Sequence, residues 1–197
     1  CSMDHSIIVK QVRHIVNQLG GKKRFEKVSI IADEAETGFS RVWSEPNLDE
    51  FKVGINQLIE EEIIDQVLWA PKNDAEIRQL NKRWYGVSST INKAVNGQPV
   101  HTSLWGLEQM SSSYVLQIDS DIMFHRDWEV DPTDLLVDYL IEREAVTATL
   151  PIFSDPNCKP YILDGIEWRT EVRFCIFNRA KMLELLPLDN TIVNGKW

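Results

Sequence analysis

The sequence is poor in cysteine. Its 197 residues include only Cys1, Cys158 and Cys175, an odd number without the spacing of metal ligands. Free thiols of this kind are commonest in reducing compartments, so the cysteine content favours a cytoplasmic location.

Long hydrophobic runs are also missing. No segment approaches the roughly 18 consecutive apolar residues that a membrane-spanning helix requires. The opening residues Cys1-Ser-Met-Asp-His5 lack the basic and then apolar layout of a signal peptide. We therefore expect a soluble chain without a membrane span.

Positive charge is scarce as well. There are 21 lysines and arginines against 30 aspartates and glutamates, which gives a formal net charge of −9. An acidic surface repels phosphate backbones unless a local basic patch overrides it. The short run Lys22–Arg24 is typical of a solvated connection, and Glu60–Glu62 of the wet face of a helix. Nucleic acid is not an expected partner.

What the sequence does contain is an alternation of strand and helix patterns. A chain of this length forms one domain by default. Apolar spacing and capping residues predict helices at about residues 8–19, 48–59, 74–85 and 102–110, then after the caps Asp131 and Asn178. Short apolar runs predict strands at Val28–Ala32, Val67–Ala70, Tyr114–Ile118, Ala145–Leu150 and Val172–Phe177. Residues 87–100 and 151–164 are interpreted as irregular. In the helix after Asp131, the side chains predicted to face the core are Leu135, Leu136, Tyr139 and Leu140.

This alternation indicates an α/β fold with a mostly parallel sheet and helices on both faces. In such folds ligands bind at the carboxyl ends of the strands. Asp33 and Asp119 each follow a predicted strand, so both are expected at that edge.

The motif Asp119-Ser120-Asp121 carries the most specific chemical signal. It places two carboxylates one residue apart directly after a buried strand. Magnesium and manganese prefer oxygen ligands, usually one or two carboxylates together with phosphate oxygens and water. The motif therefore predicts a divalent cation site for a nucleotide diphosphate, although two acids in a loop are more often simply solvated.

Three segments resemble the nucleotide-sugar glycosyltransferases of the GT-A fold, and within them the family 2 type. The closest similarity is in Ser113–Phe124, which looks like the strand and metal-binding Asp-x-Asp of these enzymes. Ile30–Asp33 is similar to their second strand, and Cys1–His5 to the end of their first strand. The resemblance implies a GT-A-like, Rossmann-like domain over residues 1–197, without part of the first strand and the carboxyl-terminal catalytic segment.

The resemblance also implies roles for individual residues. Asp119 would face the ribose or sugar of a UDP- or GDP-linked donor, and Asp121, with Asp119 beside it, would hold Mn²⁺ or Mg²⁺. The implied donor-binding residues are Ser2, Asp4, Asp33, His101 and Ser103. Trp168 and Arg173 would lie on the side of the acceptor, a saccharide or another hydroxyl compound. A structural role for His101 and a core position for Trp168 are the alternatives.

The sequence departs from the family in its general base. Family 2 enzymes, which the resemblance implies are inverting, use a carboxylate downstream of the strand that matches Val172–Phe177. No clear counterpart precedes Trp197, so the base stays open between Glu171 and a residue outside this chain.

Three other interpretations compete. A haloacid dehalogenase-type phosphohydrolase also has Asp-x-Asp after a strand, but its motif opens the domain, whereas here about 118 residues precede it. A sugar nucleotidyltransferase would need a glycine-rich basic first loop, which Cys1–His5 does not offer. The missing base favours a third alternative, a glycosyltransferase-like domain that binds a nucleotide or a partner protein without turnover.

Overall fold

The chain folds into a mixed α/β structure, as its alternating pattern predicts. The computed structural model describes residues 4–34, 47–92, 101–120, 122–123, 131–149, 161–163, 166–168 and 173–188. The chain forms two compact units, one from residues 1–111, 120–126 and 185–197 and the other from residues 112–119 and 127–184. The single glycosyltransferase domain implied by the resemblance stays a prediction.

The helices of the first unit begin and end within one residue of the predicted bounds. They are α1 (Ile8–Gln18), α2 (Leu48–Glu60), α3 (Asp74–Tyr85) and α4 (His101–Gln109). The Asn47 side chain accepts a hydrogen bond from the Glu50 backbone N–H at 3.0 Å, and so satisfies a donor at the start of α2. After α1, Gly20 and Gly21 adopt φ of 97° and 88°, which glycine alone adopts at little cost. The predicted stop of this helix is confirmed.

Two parallel strands form the sheet described in the first unit. They are β1 (Ser29–Ala32) and β2 (Gln66–Trp69), paired with Ala32 opposite Trp69. The core beside them is formed by apolar side chains of α1, β1, α2 and the turn that follows: Ile8, Val12, Val16, Ala32, Phe51, Ile55, Leu58 and Ile64. Burial of each large member contributes about 1.5–3 kcal/mol. The predicted parallel pairing is confirmed for these two strands.

The second unit has an antiparallel sheet. Its elements are β3 (Tyr114–Ile118), α5 (Pro132–Glu142), β4 (Thr147–Thr149), β5 (Tyr161–Leu163), β6 (Ile166–Trp168), β7 (Phe174–Asn178) and α6 (Arg179–Glu184). Strand β7 lies between β3 and β4 and runs antiparallel to both. Parallel neighbours need a crossover connection, usually a helix. The described part of the chain between β4 and β7 instead contains the antiparallel pair β5–β6, so the mostly parallel expectation does not extend to this sheet.

Two local predictions in this unit need correction. Residues 151–164 were expected to be irregular, yet Tyr161–Leu163 forms β5. The sequence feature that indicates β5 is the Asp-Gly pair between β5 and β6, because this pair is typical of the two-residue turns of β-hairpins. On α5, Leu136 and Leu140 are buried as expected, whereas Leu135 and Tyr139 are 57% and 50% exposed. Leu136 and Leu140 form one i, i+4 stripe of the helix, and Leu135 and Tyr139 form the stripe next to it. Only the stripe of Leu136 and Leu140 faces the core.

No helix within the described ranges is long and apolar enough to cross a membrane. This agrees with the lack of long hydrophobic runs in the sequence.

Candidate functional site

The carboxylate of Asp33 lies immediately after β1, next to the start of α4. The Thr102 hydroxyl donates a hydrogen bond to Asp33 Oδ2 at 3.4 Å. His101 Nε2 lies 4.0 Å from the same oxygen, and the Asp33 side chain is 13% exposed. Asp33 is therefore a mostly buried carboxylate with neighbours on the first turn of α4.

A glycine on α4 allows this approach. A Cβ atom added to Gly106 would come within 2.8 Å of Ile31 Cγ1 on β1, a separation that real Cβ atoms essentially never show. The absence of a side chain therefore lets α4 pack directly on β1. Because Thr102 and His101 lie on the first turn of the same helix, this packing determines whether they reach Asp33.

His101 is almost fully buried, with 4% of its surface exposed. Its Nδ1 lies 3.3 Å from the backbone carbonyl oxygen of Asn92. The resemblance implied a donor contact for His101 and for Ser103, which is partly buried on the same helix. The burial of His101 favours the structural alternative for this residue.

The amino-terminal segment meets the Asp-x-Asp motif at Ser120. Asp4 is 2% exposed, and its Oδ2 accepts a hydrogen bond from the Ser120 hydroxyl at 3.4 Å. These residues are 116 positions apart in the sequence. Asp4 was predicted to bind the donor, and Ser120 is the central residue of the motif. Ser2 and Asp121 lie outside the described residues.

The first aspartate of the motif pairs with Arg173 across the antiparallel sheet. Arg173 Nε donates to Asp119 Oδ2 at 3.3 Å, and the Asp119 backbone N–H donates to the Arg173 carbonyl at 2.9 Å. The pair continues the register in which Ile118 faces Phe174. The side chains of Asp119 and Arg173 are 34% and 47% exposed. The sequence predicted both as site residues but did not predict their pairing.

The described residues contain only part of the expected metal ligand set. Asp119 supplies the hard oxygen that magnesium and manganese prefer, and it shares that carboxylate with Arg173. Within the described ranges, no three His, Cys, Asp or Glu side chains are grouped to hold an ion. The predicted base Glu171 lies outside those ranges, and Trp168 is described there by its backbone alone, as the last residue of β6.

A charged cluster beside Asp33 was missed by the sequence reasoning. Glu34 forms ion pairs with Lys52, whose Nζ is 3.5 Å from Glu34 Oε1, and with Lys72. Lys52 Nζ also lies 5.5 Å from the ring centroid of Trp69, within cation–π range. Glu34 follows β1 and Lys72 follows β2, and the carboxyl ends of paired parallel strands meet at one edge. The rule that predicts Asp33 at this edge therefore also applies to Glu34 and Lys72.

The thiol of Cys175 is unsuited to nucleophilic chemistry. Cys175 lies in β7 and is fully buried, and this burial raises the pKa of its thiol to about 12. Since the thiolate is the reactive form, Cys175 is a structural residue of the sheet.

Comparison of the chain with family models, with curated proteins and with solved structures finds no match.

Proposed function

We propose that this protein is a glycosyltransferase that moves a sugar from a nucleotide-diphosphate donor to an acceptor hydroxyl, with a GT-A-like fold. The observation that carries the proposal is the contact between Asp4 and Ser120. It joins the segment that resembles the family's nucleotide-facing loop to the centre of the Asp-x-Asp motif. The Ser120 hydroxyl holds the buried Asp4 carboxylate in place, and the segment around Asp4 would recognise polar groups of the nucleoside.

The proposed reaction is a substitution at the anomeric carbon. The acceptor oxygen forms a bond to that carbon, and the bond from the carbon to the diphosphate oxygen breaks with its electron pair. The hydroxyl proton passes to a carboxylate, either Glu171 or one outside this chain. Asp33 and the segment before α1 hold the nucleoside, and Asp119 faces the ribose or sugar.

Asp121, with Asp119 beside it, would hold a manganese or magnesium ion in this proposal. A bound divalent cation offsets the charge that develops on the leaving diphosphate. Arg173 donates to Asp119 Oδ2 at 3.3 Å, and a cation that binds the same oxygen would displace it.

Calorimetric titration of UDP and of GDP in the presence of manganese tests the donor site. We expect binding of one nucleotide that is lost with EDTA and in Asp121→Ala. Asp138→Ala is the matched control, because it removes an exposed aspartate from α5. Absence of binding to both nucleotides would contradict the proposal.

A domain that binds nucleotide or a partner protein without turnover is the second candidate. The observation that favours it is the ion pair between Arg173 and Asp119, because a guanidinium already engages a predicted metal-binding carboxylate. The two candidates differ when UDP- and GDP-sugars are supplied with acceptor saccharides. Sugar transfer supports the enzyme, whereas binding without transfer or donor hydrolysis supports the second candidate.

A further inference from the structure

A buried amide on α3 fixes the chain segment that follows this helix. Asn81 is 1% exposed, and its Nδ2 donates to the carbonyl oxygens of Ser89 and Ile91, both at 2.7 Å. A side-chain amide nitrogen has two hydrogens, so both are used. The Ile91 N–H in turn donates to the Ser89 hydroxyl at 3.1 Å. The backbone between Ser89 and Asn92 is therefore tied to α3.

His101 extends from this segment to Asp33. The Asn92 carbonyl can only accept a hydrogen bond, so we assign a hydrogen to His101 Nδ1, which lies 3.3 Å away. On the other side of the ring, Nε2 lies 4.0 Å from Asp33 Oδ2, which is ion-pair distance for a ring protonated on both nitrogens and too long for a hydrogen bond. One buried ring thus spans the distance between a fixed backbone carbonyl and the candidate nucleotide-binding carboxylate.

We infer that His101 is a positioning residue for Asp33 and that Asn81 acts on Asp33 through it. Both ring nitrogens of His101 are directed at groups of the protein, the Asn92 carbonyl and the Asp33 carboxylate, so the ring is not expected to be a main contact of a donor. Together with the Thr102 hydroxyl, it restricts the Asp33 carboxylate from one side. A side chain ordered before a ligand arrives loses less conformational entropy on binding, which strengthens binding without a new contact. In its statements about nucleotide binding, this inference rests on the proposed function.

Two amide substitutions of His101 distinguish the contact made by Nδ1 from the contact made by Nε2. In His101→Asn the new amide nitrogen takes roughly the place of Nδ1, so the bond to Asn92 is retained and the contact with Asp33 is lost. In His101→Gln the amide nitrogen reaches roughly to the place of Nε2, which retains the contact with Asp33. We expect His101→Asn to weaken nucleotide binding by up to about fivefold, in line with the loss of a contact at ion-pair distance. His101→Gln should retain clearly more affinity, whereas a purely structural role predicts equal losses.

Asn81→Ala tests the remote part of the linkage. It touches neither Asp33 nor any predicted donor contact, yet we expect it to weaken nucleotide binding. In an Asp33→Asn background, Asn81→Ala should cause no further loss of affinity, because its effect passes through Asp33.

Glu108→Ala is the matched control. Glu108 on α4 accepts from the Trp84 indole N–H at 2.9 Å and from Arg83 Nε at 3.2 Å, both on α3. Through these two contacts it joins the same two helices. Glu108→Ala should lower the melting temperature and leave the nucleotide affinity within about twofold of the unsubstituted protein, a difference under 0.5 kcal/mol.

Imidazole ¹⁵N NMR tests the linkage without any ligand. The His101 signals are assigned by their disappearance in His101→Gln, which distinguishes them from those of His5, His14 and His125. We expect Asp33→Asn and Asn81→Ala to displace these signals and Glu108→Ala to leave them in place. Unchanged signals in Asp33→Asn would overturn the inference, even if the protein binds nucleotide.

The two proposals fail in different ways. If the unsubstituted protein binds neither UDP nor GDP, the proposed function is wrong and the NMR measurement alone decides the linkage. If it binds a nucleotide and His101→Asn binds it equally well, the inference is wrong and the proposed function stands.

Discussion

Asp33 and Asp119 each follow a strand, but their surroundings are opposite in kind. The Asp33 side chain is 13% exposed, with the Thr102 hydroxyl and His101 beside it. Asp119 is 34% exposed and pairs with the half-exposed Arg173 across an antiparallel sheet. A carboxylate that ends a strand can therefore be held by a buried polar set or by a surface ion pair, and strand position alone does not distinguish them.

The difference has an energetic consequence for ligands. An exposed ion pair contributes about 0–1 kcal/mol, because water screens it and two long side chains must be ordered. A ligand or cation that engages Asp119 therefore displaces Arg173 at small cost. The Asp33 carboxylate is already largely desolvated, and its neighbours fix its orientation. A ligand that binds Asp33 therefore does not have to order this side chain.

The largest effect on this comparison is expected from Gly106→Ala. The added Cβ would lie 2.8 Å from Ile31 Cγ1, so either the Ile31 side chain or α4 must shift. We expect α4 to move away from β1 and to carry His101 and Thr102 away from Asp33. Overpacking costs about 1–3 kcal/mol, and the gain in helix propensity of about 1 kcal/mol offsets only part of it. Urea unfolding should show a net loss of stability, and nucleotide binding should weaken with it.

Gly54→Ala on α2 is the control for that measurement. Its Cβ would lie 3.1 Å from the terminal methyl carbons Ile8 Cγ2 and Val9 Cγ2, so a shift of a few tenths of an ångström accommodates it. We expect stability close to that of the unsubstituted protein. Equal losses in the two alanine variants would show that the close packing of α4 on β1 is not special to the surroundings of Asp33.

Local signals in the sequence were sufficient for much of the fold. The Asn47 cap and its apolar stripe predict α2, and the apolar run before Asp119 predicts β3 with its observed bounds. The direction of β7 was not predictable, because strand propensity contains no information about the partner strand. The choice between the Leu135 and Leu136 stripes of α5 also depends on tertiary packing.

The candidate site was predictable at its strand ends and not in its pairings. Asp33 and Asp119 follow apolar runs, which is a pattern visible in one dimension. The approach of His101 to Asp33 depends on how closely α4 packs on β1, and the pairing of Arg173 with Asp119 depends on the register of β7. Both are long-range properties that no local pattern specifies.

Paired substitutions in the two surroundings should respond differently to salt. Arg173→Met removes the surface ion pair of Asp119, so we expect it to lower the free energy of unfolding by less than about 1 kcal/mol. This loss should become smaller in 0.5 M sodium chloride, because the Debye length is then only about 4 Å. Thr102→Val removes a hydroxyl that donates to Asp33 at 3.4 Å. We expect Thr102→Val to lower the free energy of unfolding by about 1 kcal/mol. This loss should stay the same in salt, because partly buried groups are screened much less. Equal salt dependence in urea unfolding would remove the distinction between the two aspartates.

The smallest effect concerns a third carboxylate, at the amino-terminal end of β2. Asp65 accepts a hydrogen bond from the Val28 backbone N–H at 2.7 Å and forms an ion pair with Lys22 at 2.8 Å. The hydrogen bond from Lys22, followed by that from the Val28 N–H, lowers the pKa of Asp65. A carboxylate whose pKa is lower in the folded than in the unfolded state stabilises the fold above its unfolded pKa, and this stabilisation is lost as the pH falls through the folded value.

We therefore expect Asp65→Asn to flatten the decline in stability below about pH 4, where an ordinary aspartate titrates. The change should be small, because the Asp65 side chain is about one-third exposed. Urea unfolding at a series of pH values measures it, with Asp138→Asn as the control for an exposed aspartate on α5. An equal change of slope in both variants would mean that general surface charge, and not the contacts of Asp65, produces the acid dependence. Asp65 would then resemble Asp119, whose surface ion pair contributes little, more than it resembles Asp33.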